Sequence, residues 1–255
     1  MTGFDLRILR DARHVLVFTG AGVSARSGIP TFRDALGGLW SRYDPASLAT
    51  ADAFRQDPAL VWGWYQWRRA QVLAARPNPA HLAIAELARR VPRLTLVTQN
   101  VDDLHERAGS QEVIHLHGSL HAPRCFACAR AYAGSDAEPA RVEEGERIEP
   151  PRCLRCNGRI RPGVVWFGEA LPERPWREAL AAARACDLLL VVGTSGLVMP
   201  AAQLPQVARQ NGARVVHVNL DAEPADGATT FTLAGDAAEI LPRLLLQMAD
   251  DQAGP

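Results

Sequence analysis

A chain of 255 residues is long enough for one large domain, or a main domain carrying a small inserted lobe. It can bury about 70% of its unfolded surface, so neither a metal nor a disulfide is needed merely to make it fold. Lys+Arg 28 against Asp+Glu 28 gives a formal net charge of zero, so no global field draws nucleic-acid phosphates or anionic lipid, and a nucleic-acid partner is disfavoured.

The longest apolar runs, such as Leu188 to Val192, are far short of the ~20 residues that span a bilayer, which argues against a membrane partner. Near the N-terminus stand Asp5, Arg7, Arg10 and Asp11, where a signal peptide needs an apolar block, and the expected location is cytoplasmic. Of five cysteines, four fall into Cys-x-x-Cys pairs, which in a reducing compartment argues for metal rather than disulfides.

In chain order, His14 to Phe18 predicts a short buried strand that runs into the glycine-rich turn Thr19 to Ser24, with a helix beginning near Ser24. Residues 36–76 read as helical and aromatic-rich, and Ala80 to Arg90 as a further helix. A second strand, Leu94 to Thr98, ends at Gln99-Asn100. Residues 119–162 hold the paired cysteines around an acidic loop, Asp136 to Glu149, expected to be exposed and mobile. A helix over Trp176 to Ala185 leads to a strand over Leu188 to Val192, ending in Gly193-Thr194-Ser195. A helix over Ala201 to Asn211 then leads to a strand over Arg214 to Val218, ending at Asn219. This alternation predicts an α/β fold with a parallel sheet, and ligands in such sheets bind at the carboxyl ends of the strands, where these polar residues collect.

Gly20-Ala-Gly-Val-Ser-Ala25 fits the dinucleotide fingerprint and sits between a strand and a helix, so it reads either as a phosphate site or as a plain tight turn. No clear acidic ribose ligand follows about 20 residues on, which disfavours an ordinary dehydrogenase. Cys125-Phe-Ala-Cys128 and Cys153-Leu-Arg-Cys156 are two knuckles separated by 24 residues. Four thiolates close a tetrahedral zinc site with no position left for water, so one structural zinc is expected on Cys125, Cys128, Cys153 and Cys156. Cys186 reads as a buried small hydrophobe.

Taken together, the segments Gly20 to Arg33, Thr98 to His105, His115-Leu-His-Gly118, the four cysteines, Arg161 to Glu169, Gly193-Thr-Ser195 and Val218-Asn219 resemble the sirtuins. That family comprises NAD-dependent protein-lysine deacylases. The resemblance implies a Rossmann-type large lobe over residues 1–35, 77–118 and 163–255. It also implies a small lobe made of a helical insertion, 36–76, and a zinc module, 119–162, all within one catalytic domain. NAD and zinc are the implied cofactors, and acyl-lysine proteins or peptides the implied partners; the oligomeric state is left open, a monomer included.

Residue by residue, the resemblance makes His117 the base that removes a proton from a ribose hydroxyl, a task suited to imidazole. Gln99, Asn100 and Asp102 match the group around the nicotinamide and its ribose, Asn100 and Asp102 being counted with His117 as catalytic, although either could simply cap a helix. Gly20, Ala21, Gly22 and Ser24 match the glycine-rich cofactor loop, and Phe32 and Arg33 a loop covering the cofactor. Gly193, Thr194, Ser195, Asn219 and Ala237 match the adenosine half of the site.

Tyr65 and Arg68, three apart on a helix, share a face. They resemble the Tyr-x-x-Arg pair of the sirtuin subgroup that removes succinyl and malonyl groups, in which the guanidinium holds the acyl carboxylate. The alternative is that both decorate an amphipathic helix packed by its tryptophans. Val165, Trp166 and Phe167 match the segment that pairs with the substrate peptide backbone. The resulting expectation is a deacylase acting on acetyl and on succinyl or malonyl groups. A mono-ADP-ribosyltransferase using the same NAD site and a non-catalytic acyl-lysine or NAD binding module are the alternatives.

Overall fold

The computed structural model describes residues 4–30, 44–133, 142–221 and 228–250. After one turn of helix, α1 (Arg7–Arg10), strand β1 (Val15–Thr19) enters the core with every residue buried. Helices α2 (Pro45–Leu48), α3 (Ala51–Gln56), α4 (Pro58–Ala74) and α5 (Pro79–Arg90) precede β2 (Leu94–Thr98). Next come α6 (Leu104–Arg107) and β3 (Ile114–His115), then β4 (Arg124–Cys125) and β5 (Ile160–Arg161), which form a separate antiparallel pair. The chain closes with α7 (Glu173–Ala185), β6 (Leu188–Val192), α8 (Leu204–Gln210), β7 (Arg214–Asn219), β8 (Thr230–Ala234) and α9 (Ala237–Asp250).

Six parallel strands form one sheet in the order β3-β2-β1-β6-β7-β8. Strands buried on both faces read as continuous apolar runs, which is why β1 and β6 were legible. Alternate residues serve opposite faces. Val15, Val17 and Leu190 pack with Ile84 of α5 and Leu244 of α9, while Leu16, Phe18 and Leu189 pack with Ala183 of α7 and Leu204 of α8. The chain runs outward from β1 to β3, then returns beside β1 as β6 and runs outward the other way. A crevice therefore opens between the carboxyl ends of β1 and β6.

A third apolar cluster, separate from the sheet's two, joins Phe54, Trp64 and Tyr65 of the helical stretch to Cys125, Ile160 and Trp166. This is the smaller lobe. Its helices start on sequence-encoded caps: Thr50 accepts from the Ala53 amide and Asp57 from the Leu60 amide, with Pro58 at the first position of α4.

Two expectations are corrected. The helix expected near Ser24 is a 3₁₀ segment, Ala21–Ser27, ending at Gly28 with φ +81°. Its Gly22 amide bonds to the Gly193 carbonyl at 2.8 Å in the neighbouring loop instead of propagating an α-helix. In the part of the acidic loop described, residues 142–149, Glu143, Glu146, Arg147 and Glu149 are exposed as expected, but the segment is docked rather than loose. The Ile148 amide bonds to the Ala59 carbonyl at 3.1 Å, and a Cβ on Gly63 would lie 2.0 Å from the Glu146 carbonyl oxygen. Residues 136–141 of that loop lie outside the described residues.

Candidate active site and metal centre

The loops after β1 and β6 meet backbone to backbone. A Cβ on Gly20 would lie 2.7 Å from the Thr194 Cβ, one on Gly22 2.8 Å from the Gly193 oxygen, and one on Gly193 2.4 Å from the Val23 nitrogen. Gly193 also has φ +58°, so two independent constraints demand glycine there. The fingerprint thus locks two loops together at the crevice. Ala21 is half-buried and Gly22 exposed, leaving main chain accessible at its floor.

α5 positions this loop from behind. Asn78 caps the helix through the Ala80 amide while its Nδ2 donates to the Val23 carbonyl at 2.8 Å and to Ser27 Oγ at 3.1 Å. His81 Nδ1 accepts from the Asn78 amide at 3.3 Å, which leaves Nε2–H to donate to Ser24 Oγ at 3.4 Å. Ser24 in turn donates to Asp102 Oδ2 at 3.0 Å and accepts from Asn100 Nδ2 at 3.1 Å. Burial raises the Asp102 pKa, opposed by hydrogen bonds from the Leu104 amide and Ser24. Asp102 Oδ1 accepts from that amide at 3.1 Å, so a capping role holds alongside its place in the polar cluster.

Across the crevice, Gln99 Nε2 donates to Thr194 Oγ1 at 2.8 Å and Asn219 Nδ2 to the Thr194 carbonyl at 3.1 Å. Gln99, Thr194 and Asn219 therefore form one connected rim, with Ser195 half-buried beside it. The Ala237 side chain is instead 7% exposed and belongs to the core cluster, so only its main chain is placed to meet a ligand. Phe32 and Arg33 lie outside the described residues.

His117 Nδ1 lies 3.0 Å from the Gln99 carbonyl, and His115 Nδ1 lies 3.1 Å from the next carbonyl, that of Asn100. Leu116 between them is fully buried, and His117 lies in the turn that follows β3, so the two rings meet successive carbonyls rather than sharing a strand face. Their environments differ. Burial lowers the His117 pKa, only partly offset by its carbonyl contact. Burial also works against charged His115, but the Glu106 carboxylate at 2.6 Å and the Asn100 carbonyl outweigh it and raise the pKa.

On α4, the Tyr65 hydroxyl accepts from Trp166 Nε1–H at 3.1 Å. The Arg68 guanidinium carbon lies 6.0 Å from the Tyr65 ring centroid and 5.0 Å from that of Trp64. Burial pulls the Arg68 pKa down, with Tyr65 and Asp102 acting against it. The three residues expected to line a peptide groove do not behave alike: Phe167 is 50% exposed and Val165 half-buried, but Trp166 is 1% exposed. The Trp166 side chain therefore belongs to the core, which leaves only its main chain for the pairing with a peptide backbone that the resemblance implies. The Val165 amide bonds to the His117 carbonyl at 2.8 Å and the Phe167 amide to that of Ala49 at 2.9 Å, tying this segment to the His117 turn on one side and to the helical stretch on the other.

The four cysteine sulfurs all lie within 4.8 Å of one another, with Cys125 and Cys156 at 3.5 Å and Cys128 and Cys153 at 3.8 Å. A tetrahedral zinc with Zn–S of ~2.3 Å needs sulfurs about 3.8 Å apart, so the donor set fits. The Cys128 amide donates to Cys125 Sγ at 3.4 Å, and the Cys156 and Arg155 amides pull the Cys153 thiol down to about 6, both favouring thiolate. Gly158 keeps the space open, since a Cβ there would lie 3.0 Å from Cys125 Sγ. Cys186 is buried elsewhere, as expected.

Two further histidines, His81 and His105, lie behind the crevice. Both are buried, their rings 4.8 Å apart, and His105 Nε2 reaches Thr19 Oγ1 at 3.0 Å beneath the site. Asn78-Pro79 followed by His81 is a capping-box spacing with His in the third position, a signal that could have placed His81.

A model of the Sir2 family matches residues 20–200. NAD-dependent protein deacylase 1 of Pseudomonas aeruginosa is 63% identical over 240 residues, covering 94% of this chain and 96% of its own. An NAD-dependent protein deacylase of Methylococcus capsulatus is 59% identical over 240 residues, covering 94% of each. A solved complex of a Sir2 homologue with NAD superposes with a TM-score of 0.86 at 42% identity, over 97% of this chain and 94% of that one. A complex of Sir2 with a p53 peptide and NAD+ gives a TM-score of 0.81 at 33% identity, over 96% and 97%. With its crevice, its His117 turn and its four-cysteine centre in this arrangement, the chain belongs to the Sir2 family.

Proposed function

We propose that this chain is an NAD-dependent protein-lysine deacylase that transfers the acyl group of an acyl-lysine side chain to ADP-ribose with release of nicotinamide, and that it favours acyl groups ending in a carboxylate. The observation that carries the reading is His117. The Gln99 carbonyl can only accept, so Nδ1 carries the proton and Nε2 is the basic nitrogen, beside a polar cluster at the sheet's switch point.

Gly20, Ala21, Gly22, Ser24, Gln99, Asn100 and Asp102 would hold the nicotinamide and phosphate end of NAD, with Phe32 and Arg33 covering it. Gly193, Thr194, Ser195, Asn219 and the main chain at Ala237 would hold the adenosine end. Bound NAD supplies the nicotinamide–ribose bond whose cleavage creates the acyl acceptor. His117 accepts a ribose hydroxyl proton at Nε2. The Asn100 amide and the Asp102 carboxylate, both fixed through Ser24, orient the leaving carboxamide and a water. Zinc would be held by Cys125, Cys128, Cys153 and Cys156 and contributes folding energy rather than chemistry.

Acyl-lysine proteins or peptides are the proposed partners, with Val165 and Phe167 flanking the peptide. Trp166 N–H is committed to the Glu169 carboxylate at 2.9 Å, so strand addition would use the peptide groups around it. The chain is read as one catalytic domain, with a large lobe of 1–35, 77–118 and 163–255 and a small lobe of 36–76 and 119–162. Among the described residues no helix is long and apolar enough to cross a membrane.

The test is steady-state kinetics with NAD on matched acetyl-, succinyl- and malonyl-lysine peptides. A buried charge-assisted hydrogen bond is worth ~1.5–3 kcal/mol. Arg68→Met should therefore lower kcat/KM for succinyl-lysine by about ten- to hundredfold, with acetyl-lysine held or raised. Equal slowing of both substrates would remove the acidic-acyl preference. Radiolabel from NAD retained on protein would point to ADP-ribosyl transfer instead.

A further inference from the structure

Tyr65 and Trp166 are 2% and 1% exposed, and the 3.1 Å bond between them runs from the indole Nε1–H to the phenol oxygen. Indole nitrogen is a donor only, so the phenol is the acceptor by necessity, and its own O–H must point elsewhere. Among the described residues nothing accepts that proton. Burial pushes the Tyr65 pKa up to about 12, which keeps the hydroxyl protonated and able to donate.

Trp166 is held so that it cannot swing away. The Arg161 guanidinium carbon stacks 3.4 Å from the indole centroid, and the rings of Phe54 and Phe126 close in at 5.4 and 6.1 Å. Arg161 is paired through both terminal nitrogens with Glu169, whose Oε2 also accepts the Trp166 amide. Rotating the indole would give up its stack on Arg161, which the bidentate pairing with Glu169 holds in place, so the direction of its N–H is fixed before any substrate arrives.

We infer that Trp166 is a specificity-determining positioning residue. By donating to the Tyr65 hydroxyl it commits that hydroxyl to donate its own proton beside Arg68, and so favours acyl groups ending in a carboxylate over acetyl. A carboxylate accepts that proton, whereas a methyl end does not. The inference rests on the acidic-acyl reading of Tyr65 and Arg68.

Trp166→Phe keeps a ring for Arg161, Phe54 and Phe126 and removes only the N–H donor and part of the ring. The succinyl-to-acetyl ratio of kcat/KM should fall three- to tenfold, through KM for the succinyl peptide rather than kcat. In a Tyr65→Phe background, where no hydroxyl remains to be directed, Trp166→Phe should not lower that ratio further. An unchanged ratio, or the same drop in the Tyr65→Phe background, would overturn the inference and leave Trp166 as packing alone. If Trp166→Phe fails to fold, indole ¹⁵N–¹H resonances of the otherwise unaltered chain serve. One resonance should move both on Tyr65→Phe and on adding succinyl-lysine peptide, but not on adding acetyl-lysine peptide; no such resonance overturns the inference. Arg68→Met separates the two failures. If it leaves the ratio intact, the acidic-acyl reading falls and this inference with it; if it collapses the ratio while Trp166→Phe does not, this inference alone falls.

Discussion

At His117 the main chain decides the side chain's chemistry: Nδ1–H goes to the Gln99 carbonyl at 3.0 Å, and Nε2 keeps the lone pair that a general base needs. Burial holds the pKa below its ordinary 6.5, so the neutral form persists into mildly acidic solution. The base works only when neutral, and kcat/KM should therefore fall with decreasing pH through a midpoint below 6.5. A pH–rate profile whose acidic limb is centred above that value would remove His117 from the role. His117→Ala should cut turnover by about 10²–10⁴-fold while NAD binding, followed by calorimetry, survives. His115, two residues away, cannot substitute, because Glu106 and the Asn100 carbonyl occupy both of its nitrogens.

Among elements, the loops after β1 and β6 allow the sharpest comparison. Gly193 has φ +58° and a Cβ would lie 2.4 Å from the Val23 nitrogen, whereas Gly28 has φ +81° but open space around it. Gly28→Ala should cost only the left-handed strain of ~1–2 kcal/mol. Gly193→Ala should cost more, and should raise KM for NAD at least tenfold because the two loops must part; equal effects on melting and on KM would show that their packing is immaterial. For the β4–β5 module, metal analysis should return one zinc per chain, and Cys125→Ser or Cys153→Ser should abolish soluble protein rather than alter kinetics selectively. A stable, active, zinc-free variant would show the centre to be misread. The strands around these loops were legible because doubly buried strands are continuous apolar runs, as in Leu188–Val192. The 3₁₀ segment was not, since its geometry depends on Gly22 bonding across to Gly193. The docked acidic segment was not either, since its seat is the notch at Gly63, a tertiary fact with no local periodicity. β8 alternates threonines with apolar residues at the sheet edge, and α9 carries Pro242 within it, so neither element announced itself in the sequence.

Over the whole molecule, Gly20, Ser24, Gln99, Asn100, Thr194 and Asn219 meet at one crevice because β1, β2, β6 and β7 are parallel and end on the same side of the sheet. What stayed hidden is the layer beneath, where His81, His105, Thr19 and Thr98 hydrogen-bond under Ser24 and Asn100. A histidine pair with rings 4.8 Å apart has no signature in spacing, since residues 81 and 105 meet only through the fold. That hidden layer sets the acid stability of the protein. Burial alone lowers the His81 pKa to about 4, and burial, together with the neighbouring His81 and His115, holds His105 well below 6.5. Burial lowers the His14 pKa as well. Above pH 6.5 folded and unfolded chains are alike neutral at these sites and nothing is lost. As pH falls below 6.5 the unfolded chain takes up protons that the folded chain refuses, so stability declines until the folded pKa is reached. For fully buried His81 the window runs from 6.5 to about 4 and is worth about 3 kcal/mol. His115, with its raised pKa, contributes in the opposite sense, losing its stabilisation as pH rises above 6.5. Asp102, whose pKa burial raises, is likewise relieved by acid, but only nearer its ordinary carboxylate range. With His117, whose pKa burial also lowers, four histidines outnumber these, and the midpoint of urea unfolding should drop steadily from pH 7 to pH 4.5. Acid also weakens thiolate binding of zinc, so the discriminating measurement is the slope in His81→Gln at saturating zinc. It should be shallower than in the unaltered chain by close to one proton, and an identical slope would move the acid sensitivity away from this histidine layer.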